Sequence, residues 1–306
     1  MAGEEIKREV VVDPSVIPPL DPSILYLTEA ESAFLQSAIT QDDSELKKRI
    51  YEVQEIAYKQ HPYPCIRAFH FVNLFMSVNP IYPEVLQAGK TGQTVLLDLG
   101  CCMGTDVRKL VSDGYIGHVF GCDLRQEFID LGYQLYNDSP SSEKSTPIRF
   151  FTGDIFEVPA APLSSVIDPN AAISATSKVT DLIQLSGVVN HIYTGALFHL
   201  FNEATQYSLA LRLARIIKKE KGTIIFGRHQ GLDSEGDIDD HLGRDRYGHS
   251  PSSWEALWKR VFAEVESDSF SKERVEVRAF LSEGFQKNVF KARHQTKMLV
   301  WSVRIL

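Results

Sequence analysis

Apolar residues recur along this chain with two different spacings. From Thr28 to Gln60 they fall at helical intervals, "TEAESAFLQSAITQDDSELKKRIYEVQEIAYKQ", with an N-cap expected at Thr28 and a break near Gln41-Asp42. "PYPCIRAFHFVNLFMSVNP" keeps that texture. Pro64 suits a helix start and Pro80 its end, so Phe69, Val72, Asn73 and Met76 are expected on one helical face, with Phe71 and Phe75 beside it. "YPEVLQAG" predicts another short helix, ending at Gly89.

After Gly92 the texture becomes strand and helix in alternation. "TVLLDLG", "GHVFGCDL", "PIRFFTGDIF", "VTDLIQLSGVV" and "GTIIFGRH" read as five successive strands. "TDVRKLVSDG", "RQEFIDLGYQLYND" and "NEATQYSLALRLARIIKKEKG" read as the helices among them. "SPSSWEALWKRVFAEV" is a further helix, and "RVEVRAFL" and "KMLVWSVRIL" close the chain as strands. Strands separated by helices imply a parallel α/β sheet with right-handed crossovers, whereas the last two strands, with no helix between them, should form an antiparallel edge. The Pro-rich residues 1–27 are expected to run extended over the surface, and 159–180, poor in large apolar residues, reads mostly as a loop.

Composition narrows the field only a little. A chain of 306 residues has room for one large α/β domain with a smaller appendage. The net charge of −8, without any Lys/Arg run, argues against a nucleic-acid partner. No apolar stretch reaches the roughly 20 residues that span a bilayer. "MAGEEIKREV" lacks the basic and apolar regions of a signal peptide, so a cytoplasmic protein is expected. The four cysteines (Cys65, Cys101, Cys102 and Cys122) show no repeated Cys-x-x-Cys spacing; they read as small residues filling strand ends, and no metal site is expected.

The candidate chemistry begins at "TVLLDLGCCMGTD", where a strand ends in Gly-x-x-x-Gly and opens a helix, bringing bare backbone to a ligand. A P-loop would need Lys and Ser/Thr after the last glycine; Thr105-Asp106 stands there, and an acid repels phosphate. A dinucleotide fingerprint would need a middle glycine, which Cys102 replaces. S-adenosylmethionine carries no phosphate and calls for an acid near the strand end, here Asp98, toward its cationic amino end. Asp123 ends the second strand 19 residues after Gly104, where a carboxylate accepts from both ribose hydroxyls of an adenosine. Asp154, in "TGDIF", stands where it could take the adenine amino group, with Ile155 against the ring. Any one of these acids could be a helix cap or a turn former. Three at successive strand ends after a glycine turn point to an adenosine-type ligand.

The motifs "DLGCCMGTDVRKLVSDG", "GCDL", "TGDIF", "ALFHLF" and "GTIIFGRHQG" resemble class I S-adenosylmethionine-dependent methyltransferases. With the double cysteine and the amino-terminal "YPCIRAF", the chain is similar, from about Leu25 onward, to those of fungal meroterpenoid gene clusters. The resemblance implies a Rossmann-like, seven-stranded, mostly parallel sheet with an antiparallel C-terminal edge and a helical N-terminal lid. Residues 1–90 would form the extension and lid, and 91–306 the cofactor-binding domain. It implies S-adenosyl-L-methionine as cofactor, held by Asp98, Gly100, Cys101, Gly104, Asp123, Leu124, Gly153, Asp154 and Ile155; Arg67, on the lid helix, is expected either to reach the cofactor carboxylate or to make a plain surface salt bridge. It also implies O-methylation of a hydrophobic secondary metabolite, family members often esterifying a carboxylic acid. One departure is "VVNHIYTGALFHLF", where the stretch between the expected fourth strand and His199 is longer than the family pattern.

Methyl transfer is an in-line displacement and needs alignment above all. A carboxylic acid is ionised near neutrality and needs only a positioning cation or hydrogen bonds; a phenol, with a pKa near 10, needs a base. Candidates lie after the fourth and fifth strands: His191, His199, Arg228, His229 and, before the "SSWEALW" helix, His249. His199, which belongs to the family motif, is the first choice, with Arg228 and His249 next to orient the acceptor. Each could equally be a helix cap or part of a polar rim. Phe69, Phe75, Phe198, Trp254 and Trp258 are expected mostly in the core, a minority lining an acceptor pocket. The expected partner is a hydrophobic small-molecule acid, with homodimerisation left open. Two other readings stand beside the methyltransferase: a terpenoid isomerase or cyclase on the same fold, and a non-catalytic partner subunit. The long stretch before His199 keeps both alive, and "SGVVNH" in place of Asn/Asp-Pro-Pro-aromatic argues against a nucleic-acid substrate.

Overall fold

Runs of buried aliphatic residues form the strands, and polar caps start several of the helices. A computed structural model describes residues 17–161, 179–238, 243–283 and 296–306. Residues 1–16 of the Pro-rich start and most of the loop expected at 159–180 lie outside them. Five parallel strands, β1 (Val95–Leu99), β2 (His118–Asp123), β3 (Arg149–Thr152), β4 (His191–Gly195) and β5 (Ile224–Gly231), lie beside an antiparallel edge. That edge is β8 (Val275–Ser282) and β9 (Lys297–Ile305), in the order β3-β2-β1-β4-β5-β9-β8. A short antiparallel pair, β6 (Gly236–Asp237) and β7 (Tyr247–Gly248), stands apart. The architecture is the α/β, seven-stranded, mostly parallel sheet that the sequence predicts.

Successive strand residues point to opposite faces, and this sorts the interior into two layers. Leu97, Leu99, Ile192 and Ile225 pack on one face against Leu209 and Leu213 of α7 (Glu203–Ile216) and Trp254 and Trp258 of α8 (Pro251–Val265). Leu96, Tyr193, Ile224 and Phe226 pack on the other, against Val85 of α4 (Tyr82–Gly89) and Val107 and Leu110 of α5 (Thr105–Ser112). The amino-terminal helices α1 (Glu29–Ala38) and α2 (Asp43–Gln60) share a third cluster with Met103 of the glycine turn and with α6 (Gln126–Tyr136). Thr28 caps α1 through a capping box, as the sequence predicts, and Asp42, at the expected break, caps α2. No helix among the described residues is long and apolar enough to cross a membrane.

Two expectations are corrected. The helix expected from Pro64 to Pro80 stops after one turn, α3 (Pro64–Arg67), and Phe69 takes a left-handed φ of 60°. Between short local turns, several backbone groups of this segment bond to side chains distant in sequence. Gln54 donates to the carbonyls of Ile66 and Arg67, the Glu31 carboxylate accepts from the amide of Leu74, and Asp106 accepts from that of Met76. The result is an irregular strap, residues 68–79, laid over the face that carries Tyr193 and Phe226. The fourth strand also moves. Residues 182–185 form a 3₁₀ turn capped by Asp181, and the strand is His191–Gly195. Leu182, Leu185 and Val188 are buried at a spacing of three, a helical interval, while a polar histidine hides the start of the true strand.

Glu31 holds the strap in place: its buried carboxylate accepts from Thr28 N, Thr28 Oγ1, Asn73 Nδ2 and Leu74 N, all within 3.1 Å. Glu31→Ala strands these donors and is expected to destabilise the protein by about 3 kcal/mol in urea denaturation. Wild-type stability in that variant would mean that the strap is held by its apolar contacts alone.

Candidate functional site

The first three parallel strands end in register, so their carboxyl tips form one line: Leu99 is level with Cys122, and Asp123 with Thr152. Between β1 and α5 the glycine turn carries three left-handed residues, Gly100, Cys102 and Gly104. Its two glycines serve different ends. A Cβ at Gly104 would lie 2.5 Å from the Phe150 ring, so packing alone demands glycine there. Nothing lies within 4 Å of a Cβ at Gly100, whose φ is +79°; its bare backbone faces open space in which a ligand can lie.

Around that space the three acids differ in what occupies them. Asp123 accepts from the amides of Cys102 at 2.8 Å and Arg125 at 3.0 Å, bonds that tie β2 to the glycine turn. Asp154 caps the 3₁₀ turn that follows β3 by accepting from Phe156 N at 2.9 Å. Asp98 is 2% exposed, and no hydrogen bond reaches its carboxylate among the described residues. Burial, with the Asp106 and Asp123 charges nearby, holds its carboxyl well above the ordinary range. Burial raises Asp123 and Asp106 too, the latter to about 7. The turn is thus a buried concentration of acid, which suits a cation and excludes a phosphate.

Of the other expected cofactor contacts, Leu124 is 48% exposed at the tip of β2, whereas Ile155 is buried in the layer against α7. Cys101 is buried in the turn, and Gly153 donates its amide to the Asp123 carbonyl. Arg67 Nε donates to the Pro19 carbonyl at 2.8 Å. Above the turn lies α3. Its Cys65 thiol is pushed up to about 11 by burial and the Asp123 charge, with Arg244 acting the other way.

Strand alternation separates two neighbours that the sequence reading grouped. Arg228 shares the strap face with Asp98 and Tyr193, and its guanidinium stacks 3.5 Å from the Phe75 ring centroid. His229 points the opposite way, accepts from Trp301 Nε1 at 2.9 Å and packs 4.5 Å from Trp254. His249, bonded to Ser253 Oγ at 2.9 Å, also packs on Trp254, with ring centroids 5.3 Å apart. Phe198, Trp254 and Trp258 are fully buried and belong to the core. His191 does not follow the fourth strand but opens it, buried beside Tyr115.

His199 sits at the rim of this aromatic layer, four residues past the end of β4. Arg246 Nε donates to its carbonyl at 2.7 Å, and Gln206 ties the turn to β7 through the carbonyls of Phe201 and Tyr247. Burial and then Arg246, His229, Arg244 and Arg228 hold the imidazole well below its ordinary pKa, so it is neutral at pH 7; its Nδ1 has no partner among the described residues. With β4 at 191–195, the stretch before His199 is short, and the departure noted in the sequence disappears. Sequence reasoning used Asp106 only to exclude a phosphate and overlooked Tyr193, His70 and Arg246. A correct placing of β4 would have shown Tyr193 level with Asp98.

The chain resembles known proteins along most of its length. A sequence profile described as the meroterpenoid methyltransferase N-terminal domain matches residues 20–72. The O-methyltransferase phiE of a fungal species is 32% identical over 219 residues, 71% of this chain; the match spans 65% of that relative, just under two thirds of its length. The Asnovolin E/Chermesin D methyltransferase nvfJ of Aspergillus novofumigatus is 33% identical over 235 residues, 76% of this chain and 74% of its own. A solved S-adenosylmethionine-dependent methyltransferase from Mesorhizobium loti aligns over 75% of this chain and 99% of its own, at TM-score 0.41 and 12% identity.

Proposed function

We propose that this chain, which belongs to the family of fungal meroterpenoid methyltransferases, is an S-adenosylmethionine-dependent O-methyltransferase that esterifies a carboxylic acid on a hydrophobic secondary metabolite. The observation that carries the reading is a partition of charge. Asp98, Asp106 and Asp123 crowd the glycine turn, while on the β4–β5 side Arg246 donates to the His199 carbonyl and, with burial and Arg244, holds the imidazole neutral. A cationic methyl donor fits the first group and an anionic acceptor the second.

The residues at the turn fit the cofactor. Gly100 leaves room for its chain, Asp98 has an unused carboxylate for its ammonium, and Asp123, at the tip of β2, would accept from ribose hydroxyls. When bound, S-adenosylmethionine supplies a methyl group whose bond to sulfur breaks as the acceptor oxygen takes it, leaving a neutral thioether. The chain's own residues then have three tasks. The arginine field attracts and orients a carboxylate, the strap and α3 exclude water, and His199 offers a hydrogen bond. A neutral imidazole held well below its ordinary pKa is a poor base for a phenol near pKa 10, which favours an acceptor already ionised. The names of the relatives, an O-methyltransferase and an Asnovolin E/Chermesin D methyltransferase, support methyl transfer to a small molecule. The isomerase and partner-subunit readings lose the feature that supported them, since His199 closely follows β4.

The test is transfer of labelled methyl from cofactor to an organic-soluble product in an extract of fungal metabolites. A methyl ester releases the label as methanol in mild base; an aryl ether keeps it. Base-labile label is expected, with His199→Ala slowing transfer about 10-fold or more and leaving cofactor affinity within a factor of two. Base-stable label would assign a phenolic acceptor, and a product of unchanged mass would remove methyl transfer altogether.

A further inference from the structure

Three buried polar groups on the strap face of the sheet have unmet bonding capacity. Asp98 of β1 is level with Tyr193 of β4, and Gly195, two residues along β4, is level with Arg228 of β5. By strand alternation the three side chains project from the same face, across two strand spacings of roughly 5 Å each. Tyr193 Oη and Arg228 Nε are both buried without a hydrogen-bond partner among the described residues, and no donor reaches Asp98. A buried donor left without an acceptor is costly, and more so when it is charged.

The surroundings do not supply the missing partners. Phe75 of the strap covers the Arg228 guanidinium with its ring at 3.5 Å, excluding water from that side. His70 packs edge-on to Phe75 and is held near pKa 4 by burial and by Arg228, so it is neutral and brings no second charge. Asp106, the other acid of this face, has its carboxylate engaged by the amide of Met76. What remains is a cation and a hydroxyl on one side and a bare carboxylate on the other. That arrangement is the complement of a zwitterion, a carboxylate and an ammonium a few ångströms apart.

We infer that Arg228 and Tyr193 bind the α-carboxylate of the cofactor's amino-acid end while Asp98 takes its ammonium. The assignment rests on the cofactor reading above and moves Arg228 from the acceptor to the donor. It also replaces Arg67, whose Nε is tied to Pro19. The reacting centre is thereby gripped from both ends of the nucleoside, with Arg228 a positioning residue and not a catalytic one.

Two nucleosides separate the possibilities. S-adenosylhomocysteine carries the amino-acid end; 5′-methylthioadenosine keeps the nucleoside and the sulfur but lacks it. In calorimetric titrations of the full chain, Arg228→Met, which still lies on Phe75, is expected to weaken S-adenosylhomocysteine about 20-fold and methylthioadenosine less than twofold. Arg228→Lys should recover part of the loss. Tyr193→Phe removes one oxygen atom and should weaken S-adenosylhomocysteine alone, about fivefold, so the assignment is tested even if the arginine variant misfolds. Unchanged affinity for S-adenosylhomocysteine in both variants, or equal loss for the two nucleosides, overturns it. A wild-type protein that binds neither nucleoside fails at the earlier step, the cofactor reading, and takes the assignment with it.

Discussion

Asp98→Asn is expected to weaken binding of S-adenosylhomocysteine by roughly 10²-fold and at the same time to stabilise the ligand-free protein. Both effects come from one fact: a carboxylate 2% exposed with no hydrogen-bond donor among the described residues. Opposite an ammonium, a buried carboxylate makes a charge-assisted hydrogen bond, and its loss costs about 3 kcal/mol, which is the affinity change stated. Asparagine keeps the shape and one acceptor oxygen, so a larger loss would point to misfolding.

The stability half of this result has a definite pH dependence. Burial and the charges of Asp106 and Asp123 raise the folded-state pKa of Asp98 above its unfolded value. The folded protein therefore binds this proton more tightly than the unfolded chain, and its stability falls as pH rises above the unfolded value near 4. Asparagine has no proton to lose. The advantage of the variant over wild type should widen from pH 5 to pH 8 in ligand-free urea titrations. A variant less stable than wild type at pH 8 would show that Asp98 has a structural partner and is not a site held open for a cation.

The pattern of the sequence made much of this site legible, and the exceptions have physical causes. β1, β2, β3 and β5 were readable because each is an apolar run that stops at an acid or a glycine. The fourth strand was not, since His191, although fully buried, reads as polar, and a capped 3₁₀ turn just before it offers a more apolar run. The strap escaped for a different reason. "AFHFVNLFMSVN" has helical spacing, but its amides and carbonyls are satisfied by Glu31, Thr105 and Asp106, and Asn79 reaches the carbonyl of Gly227. No local pattern reports bonds across such separations, and tertiary partners overrode propensity. The grouping of Arg228 with His229 was avoidable, because alternation within "TIIFGRH" already sends them to opposite faces.

Cofactor binding should release protons, and Asp106 is the group to watch. Its carboxyl is held at about 7 in the ligand-free protein: burial raises it, the amides of Met76 and Phe75 and the Arg228 charge oppose, and Glu31 adds a smaller rise. Asp98 and Tyr193 face it from β1 and β4; Asp106 in turn raises both of them, so this acid lies within electrostatic reach of the zwitterion's ammonium. The ligand's ammonium, taken by Asp98, lowers the pKa of Asp106, and its carboxylate on Arg228 opposes part of that. At pH 7 a half-protonated group then becomes more ionised, and up to about half a proton leaves. Affinity for S-adenosylhomocysteine should accordingly rise from pH 6 to pH 8, by up to about 10-fold per pH unit where one proton is displaced. Binding heats at pH 7 in two buffers of different ionisation enthalpy give the proton count directly. Asp106→Asn keeps an acceptor for the Met76 amide and should remove most of the dependence, leaving the part due to Asp98. Uncharged methylthioadenosine should show little of it in any variant. Equal heats in the two buffers for wild type would mean that Asp106 is already ionised before the cation arrives, and that the acid at the turn is balanced from within the fold.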